Sequence, residues 1–113
     1  MLIGYVLMGL GAAIVGNQLV NRHRLGRRVA GMLSEGATVL DVRSREEFSR
    51  GHSAGSVNIP LDELPTRAHE LNGDHGLVVC CVSGARAGRA ANWLARHGFS
   101  HVVNGGSWRN LPN

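Results

Sequence analysis

Two kinds of apolar pattern divide the chain. Leu2 to Val20 runs nineteen residues without a charge, with Asn17 and Gln18 its only strongly polar members. Beyond Gly36, brief apolar runs alternate with segments whose apolar positions fall three and four residues apart. The runs "ATVLDV" (Ala37 to Val42), "SVNIP", "LVVCC" and "HVV" have the composition of short buried strands. Between them, Ser44 followed by Glu47 has capping-box spacing, so "SREEFSRG" predicts a short helix closed by Gly51. In "LDELPTRAHEL", Leu61, Leu64, Ala68 and Leu71 share one helical face, and Pro65 falls early enough to be tolerated. From Ala87, the stripe of Ala90, Ala91, Leu94 and Ala95 opposes Arg89, Asn92 and Arg96, and Gly98 supplies a stop. Short strands alternating with helices predict an α/β domain with a parallel sheet covered on both faces.

The N-terminal run spans about 28 Å as a helix, close to the roughly 30 Å of a hydrocarbon core. Gly4, Gly9, Gly11 and Gly16 would each weaken a soluble helix by about 1 kcal/mol, whereas glycine is common in membrane helices. All twelve basic residues are arginine, and Arg22, Arg24, Arg27 and Arg28 follow the run immediately. The remaining eight balance the eight acidic residues, so the net charge of +4 is local to that cluster. The pattern predicts an anchor over 1–21, a basic linker over 22–28 and a globular domain over 29–113. Arginines after the span place that domain on the cytoplasmic side of an inner or plasma membrane. A cleaved signal peptide wants positive charge before the run, and Met1 to Tyr5 has none; an apolar helix packed on the domain's own surface is the other alternative. A basic cluster abutting an apolar run, in a chain poor in aromatics, argues against nucleic acid as partner.

The chemistry concentrates where "LVVCC" ends. Two adjacent cysteines, Cys80 and Cys81, cannot build a disulfide framework. No Cys-x-x-Cys or His-x3-His spacing suggests a metal, and no cofactor is implied. In a parallel sheet, reactive groups belong in loops at the carboxyl ends of strands, where helix N-termini point outward. Cys81 ends such a strand and Arg86 opens a helix. The residues Val82, Ser83, Gly84, Ala85 and Arg86 therefore form a tight loop whose N–H groups can converge above the sulfur. Gly84 allows a positive φ there. Converging amides and a helix N-terminus favour an anion and lower a thiol pKa, which makes Cys81 the expected nucleophile. Side-chain alternation turns Cys80 to the other face as a small hydrophobe.

At this point the chain resembles the single-domain rhodaneses, a family of sulfurtransferases. The resemblance covers roughly Ala37 to Trp108 and rests on "VLDVRSREEFSRGHSAGSVNIPLDEL", "CVSGARAGRAA" and "VVNGGSW". It implies that Cys81 accepts sulfane sulfur from a donor such as thiosulfate or a persulfide. The sulfur is held as a persulfide and yielded to a thiol or cyanide acceptor. It also implies that Asp41 and Arg43 support the neighbouring loops. Val82 stands where the family often has Arg, and Ala87 where it often has Ser. His52 and Asn58 are read as holding backbone, and the other histidines as solvated or capping. Two alternatives stand beside sulfur transfer. One is a non-catalytic binding module at the membrane. The other is a phosphatase of the same fold, whose Cys-x5-Arg loop would be one residue longer.

Overall fold

The computed structural model describes the backbone of residues 2–112 and the side-chain surroundings of residues 11–112. Four strands, β1 (Thr38–Asp41), β2 (Val57–Asn58), β3 (Leu77–Cys81) and β4 (Val102–Ser107), form one parallel sheet in the order β2-β1-β3-β4. The helices are α1 (Leu2–Ser34), α2 (Arg45–Ser49), α3 (Leu64–Arg67) and α4 (Ala85–Arg96). The central pairing runs from Thr38 beside Leu77 to Asp41 beside Cys80, so both strand ends arrive at one edge of the molecule. All five residues of β3 are buried, as expected for a strand covered on both faces.

Alternation along the strands sorts the core into two layers. Leu40, Leu77, Val79 and Cys81 pack with Ile59, Leu64, Ala87, Ala90 and Leu94 beneath α3 and α4. Val39, Val78, Cys80 and Val103 pack on the opposite face with Val29, Met32, Leu33 and Leu111. Each fully buried aliphatic side chain contributes about 1.5–3 kcal/mol, and the last turns of α1 thereby close the second face.

Several expected elements take a different form. The single helix expected over Leu61 to Leu71 is α3 flanked by 3₁₀ turns at Leu61–Glu63 and Ala68–Glu70. Pro65 sits in the first turn of α3, where its missing N–H costs nothing, but it offers no donor to continue an α-helix from upstream. The last strand extends past "HVV" to Ser107. A register shift between Val79 and Cys81 inserts an extra residue into β4 and brings Gly105 and Gly106 against the end of β3. Residues 22–28, read from the sequence as a linker, lie inside α1.

α1 is 33 residues long, about 50 Å at 1.5 Å per residue. Ile14, Val15, Leu19 and Val20 on it are exposed. Among the described residues no helix is long and apolar enough to cross a membrane. The anchor expected over residues 2–20 includes residues 2–10, whose side chains lie outside the described residues.

The Cys81 loop, a candidate active site

β3 ends in Cys81, and α4 begins four residues later, so the intervening backbone must reverse sharply. Gly84 makes the reversal at φ +99°, in the left-handed region, as the N-cap of α4. A side chain there would meet Gly106 Cα at 3.3 Å, which reserves the position for glycine. The turn points amides inward. The Gly84 N–H donates to Cys81 Sγ at 3.0 Å and the Ala87 N–H at 3.4 Å. First-turn amides of a helix have no intrahelical acceptor, so α4 is free to spend them on the sulfur.

Cys81 is almost wholly buried at the floor of this loop. Burial pushes its thiol up, but the amides of Ala87, Gly84, Ser83 and Arg86 outweigh that effect and hold the pKa below the ordinary thiol value. Cys80 shows the opposite balance. It lies in the α1-side layer, and burial, with the Asp41 carboxylate nearby, drives its thiol up to about 12. One strand thus carries a thiol poised to ionise and a neighbour held protonated.

Of the five loop residues expected from the sequence, Gly84 donates its amide to the sulfur, and the amides of Ser83 and Arg86 help to lower the thiol pKa. Val82 and Ala85 send no amide to the sulfur among the described residues; the Val82 side chain is exposed, and the Ala85 N–H reaches the Ser83 hydroxyl at 3.5 Å. Ala87 is the contributor that the sequence reading stopped one residue short of. Its place in the first turn of α4 was the available signal.

The Arg86 side chain has a partner of its own. It pairs with Glu47, with Nη1–Oε1 at 2.7 Å and Nη2–Oε2 at 3.0 Å. Glu47 closes the α2 capping box with Ser44, and its carboxyl is held down to about 2, foremost by the Arg86 guanidinium and then by the Ser44 N–H. Asp41 and Arg43, read as loop supports, form a buried ion pair at the end of β1. Arg43 is buried, binds the Asp41 carboxylate at 2.7 Å and donates to the carbonyls of Glu47 and Gly51. Its guanidinium also lies 4.5 Å over the Trp108 ring. The structure therefore fastens α2, and through Glu47 the Arg86 side chain, to the end of β1.

Two further residues hold backbone. Asn58 Nδ2 donates to the carbonyls of Asp41 and Arg43, and His52 Nδ1 lies 2.8 Å from the Phe48 carbonyl oxygen, consistent with their expected roles. Asn104 was not singled out from the sequence. Its Nδ2 donates to Gly84 O at 2.9 Å while its Oδ1 accepts from the Gly106 N–H at 2.9 Å, which clamps the reactive loop to the bulge of β4. No group of three or more potential metal ligands occurs among the described residues.

The parallel sheet thus presents one thiol under the free amides of a helix N-terminus, a setting suited to an anionic sulfur or a small oxyanion. The model of the rhodanese-like domain matches residues 27–109, and the chain belongs to that family. YrkF of Bacillus subtilis (strain 168) is 41% identical over 70 residues, which cover 62% of this chain. The chain spans only 38% of YrkF. The thiosulfate sulfurtransferase PspE of Escherichia coli (strain K12) is 32% identical over 74 residues, covering 64% of this chain and 71% of PspE. A solved E. coli rhodanese with anions superposes with a TM-score of 0.62 at 31% identity, over 67% of this chain and 92% of its own. Relatives of this kind support a role in sulfur transfer.

Proposed function

We propose that the protein is a sulfurtransferase that carries sulfane sulfur on Cys81. The observation that carries this reading is the set of amides around Sγ, which stabilises a thiolate first and a persulfide anion afterwards. In the loading step the Cys81 thiolate attacks the outer sulfur of thiosulfate. A new S–S bond forms, the S–SO₃ bond breaks, and sulfite leaves with the electron pair. In the unloading step an acceptor thiolate, or cyanide, attacks the outer sulfur of the persulfide and Cys81 leaves as thiolate. A persulfide donor loads the site by the same exchange. Neither half needs a cofactor.

Four residues separate Cys81 from Arg86, and the small loop with its inward amides suits one sulfur atom better than a tetrahedral phosphate. The phosphatase alternative is tested with p-nitrophenyl phosphate. The proposal expects thiosulfate:cyanide turnover that is lost in Cys81→Ser, with no phosphate release; Cys81-dependent phosphate release would overturn it.

We infer separately that residues 2–20 anchor the domain at the cytoplasmic face of a membrane. Support comes from the uncharged run, the unbroken helix from Leu2 to Ser34, the exposed Ile14, Val15, Leu19 and Val20, and the arginines that follow. Fractionation of expressing cells tests it: recovery of the full chain in the carbonate-washed membrane pellet is expected, and recovery in the wash would refute it.

A further inference from the structure

Arg89 and Arg96 lie two turns apart on α4, about 10 Å along its axis, and both are exposed. They line one groove of about 330 Å³ between α4 and the segment that leads into α3. Leu61, Leu64 and Pro65 form its far wall, and Trp93, between the two arginines in the chain, completes the near one. The Trp93 indole is half-buried and held flat against the His97 ring, with centroids 3.9 Å apart. No acidic residue lines the groove. Among the described residues, the ion pairs of Arg43, Arg45, Arg67 and Arg86 occupy Asp41, Glu47, Glu63 and Glu70, and neither Arg89 nor Arg96 has a carboxylate partner. Asp62 lines the adjoining hollow with Arg86 and Arg89 without pairing to either. Arg96 donates only its Nε–H, to the Asn92 carbonyl at 3.3 Å, so its terminal nitrogens have no partner among the described residues. Unpaired arginines beside a fixed aromatic, with apolar residues opposite, are the types that concentrate binding energy at protein interfaces. These arginines border a concavity, which suits a protruding side chain better than a flat lipid surface.

We propose that this groove docks an acidic amphipathic helix of a partner protein, with carboxylates two turns apart on Arg89 and Arg96 and an apolar side chain between them on Trp93. A helix repeats one face at the same spacing as α4, so one partner helix lying alongside can meet both arginines and fill the groove. Charge complementarity sets the sign of the partner: its acids find two cations and no opposing carboxylate in the lining. Neither Cys81 nor its loop lines this groove, and the inference does not rest on the sulfur-transfer reading.

The test uses the full chain in a neutral detergent. The probe is a fluorescein-labelled synthetic helical peptide with two glutamates two turns apart and leucines between them on the same face. Anisotropy is read against protein-free micelles, and a control peptide of the same composition carries its glutamates on opposite faces. The wild type should bind the first peptide about tenfold more tightly than the control. Arg89→Glu and Arg96→Glu, both at exposed positions, should each weaken binding about tenfold, the scale of one lost charged hydrogen bond. Arg50→Glu, an equal change of charge at the exposed C-cap of α2, should leave it unchanged. A peptide with lysines in place of the glutamates should prefer the Arg89→Glu, Arg96→Glu double variant to the wild type. Cys81→Ser should bind the acidic peptide as the wild type does, which separates this result from the test of sulfur transfer. Failure of the wild type to bind, equal binding of the two acidic peptides, or equal loss in Arg50→Glu would overturn the docking surface. Stronger displacement of the probe by a short single-stranded RNA than by unlabelled peptide would overturn it as well, by assigning the face to nucleic acid.

Discussion

Glu47 and Arg86, 39 positions apart in the chain, close a two-point ion pair at 2.7 and 3.0 Å on the rim of the Cys81 loop. The pair compensates the one cation that the sequence places beside the sulfur, and leaves the backbone amides as the main support for negative charge there. An active site with a free arginine would attract dianionic donors strongly. This one holds that arginine in check.

Glu47→Gln tests the compensation, because glutamine preserves the capping role while removing the charge. Release of Arg86 should raise kcat/KM for thiosulfate up to about fivefold, given roughly 1 kcal/mol for a half-exposed ion pair. Arg86→Ala should move it in the opposite direction, and steady-state kinetics of the two variants decides. Their pH dependence follows from linkage. The folded carboxyl titrates at about 2 against an ordinary value of 4.5, so its stabilisation is fully present above pH 4.5 and is lost as pH falls toward 2. Discounted for solvent screening, the gap in urea-unfolding stability between wild type and Glu47→Gln should be about 1 kcal/mol at pH 7 and smaller at pH 3.

The two cysteines should separate cleanly by reactivity. Cys81 is lowered by its amides and Cys80 is raised to about 12. Iodoacetamide should modify Cys81 alone in the folded protein, with a rate midpoint below that of a free thiol, and Cys80 only in denaturant. Peptide mapping of the alkylated protein reads both. Equal labelling of the two would show that the strand does not hold them on opposite faces.

Much of this was legible in the sequence because the relevant forces are local. Capping of α2 by Ser44 and Glu47, the positive φ of Gly84 and the opposite facing of Cys80 and Cys81 follow from spacing and alternation within a few residues. What stayed hidden depends on contacts between distant segments. Nothing near Glu47 in the chain announces Arg86, and nothing near Asn104 announces Gly84 twenty residues away. Ala87 is intermediate: an alanine carries no chemical signal, and only its first-turn position reveals a free amide.

The clamp between Asn104 and Gly84 should matter to the thiol and not only to folding. Asn104→Ala removes one hydrogen bond to the Gly84 carbonyl and one from the Gly106 N–H. A loss of about 1–2 kcal/mol in stability is expected, together with a rise in the Cys81 midpoint as the loop amides lose alignment. Gly84→Ala should be more damaging, since its φ of +99° and the 3.3 Å approach to Gly106 both oppose a side chain. Thiolate absorbance near 240 nm, followed against pH for each variant, checks the shift; variants that lose stability with an unchanged midpoint would confine the clamp to a structural role.

The most direct test of sulfur carriage on Cys81 is an intact mass spectrum taken after incubation with thiosulfate or polysulfide and removal of the donor. The account predicts a gain of one sulfur atom on the wild type and on Cys80→Ser, discharged by cyanide, and no gain on Cys81→Ser. A wild type that gains nothing, or a gain that survives in Cys81→Ser, would contradict it.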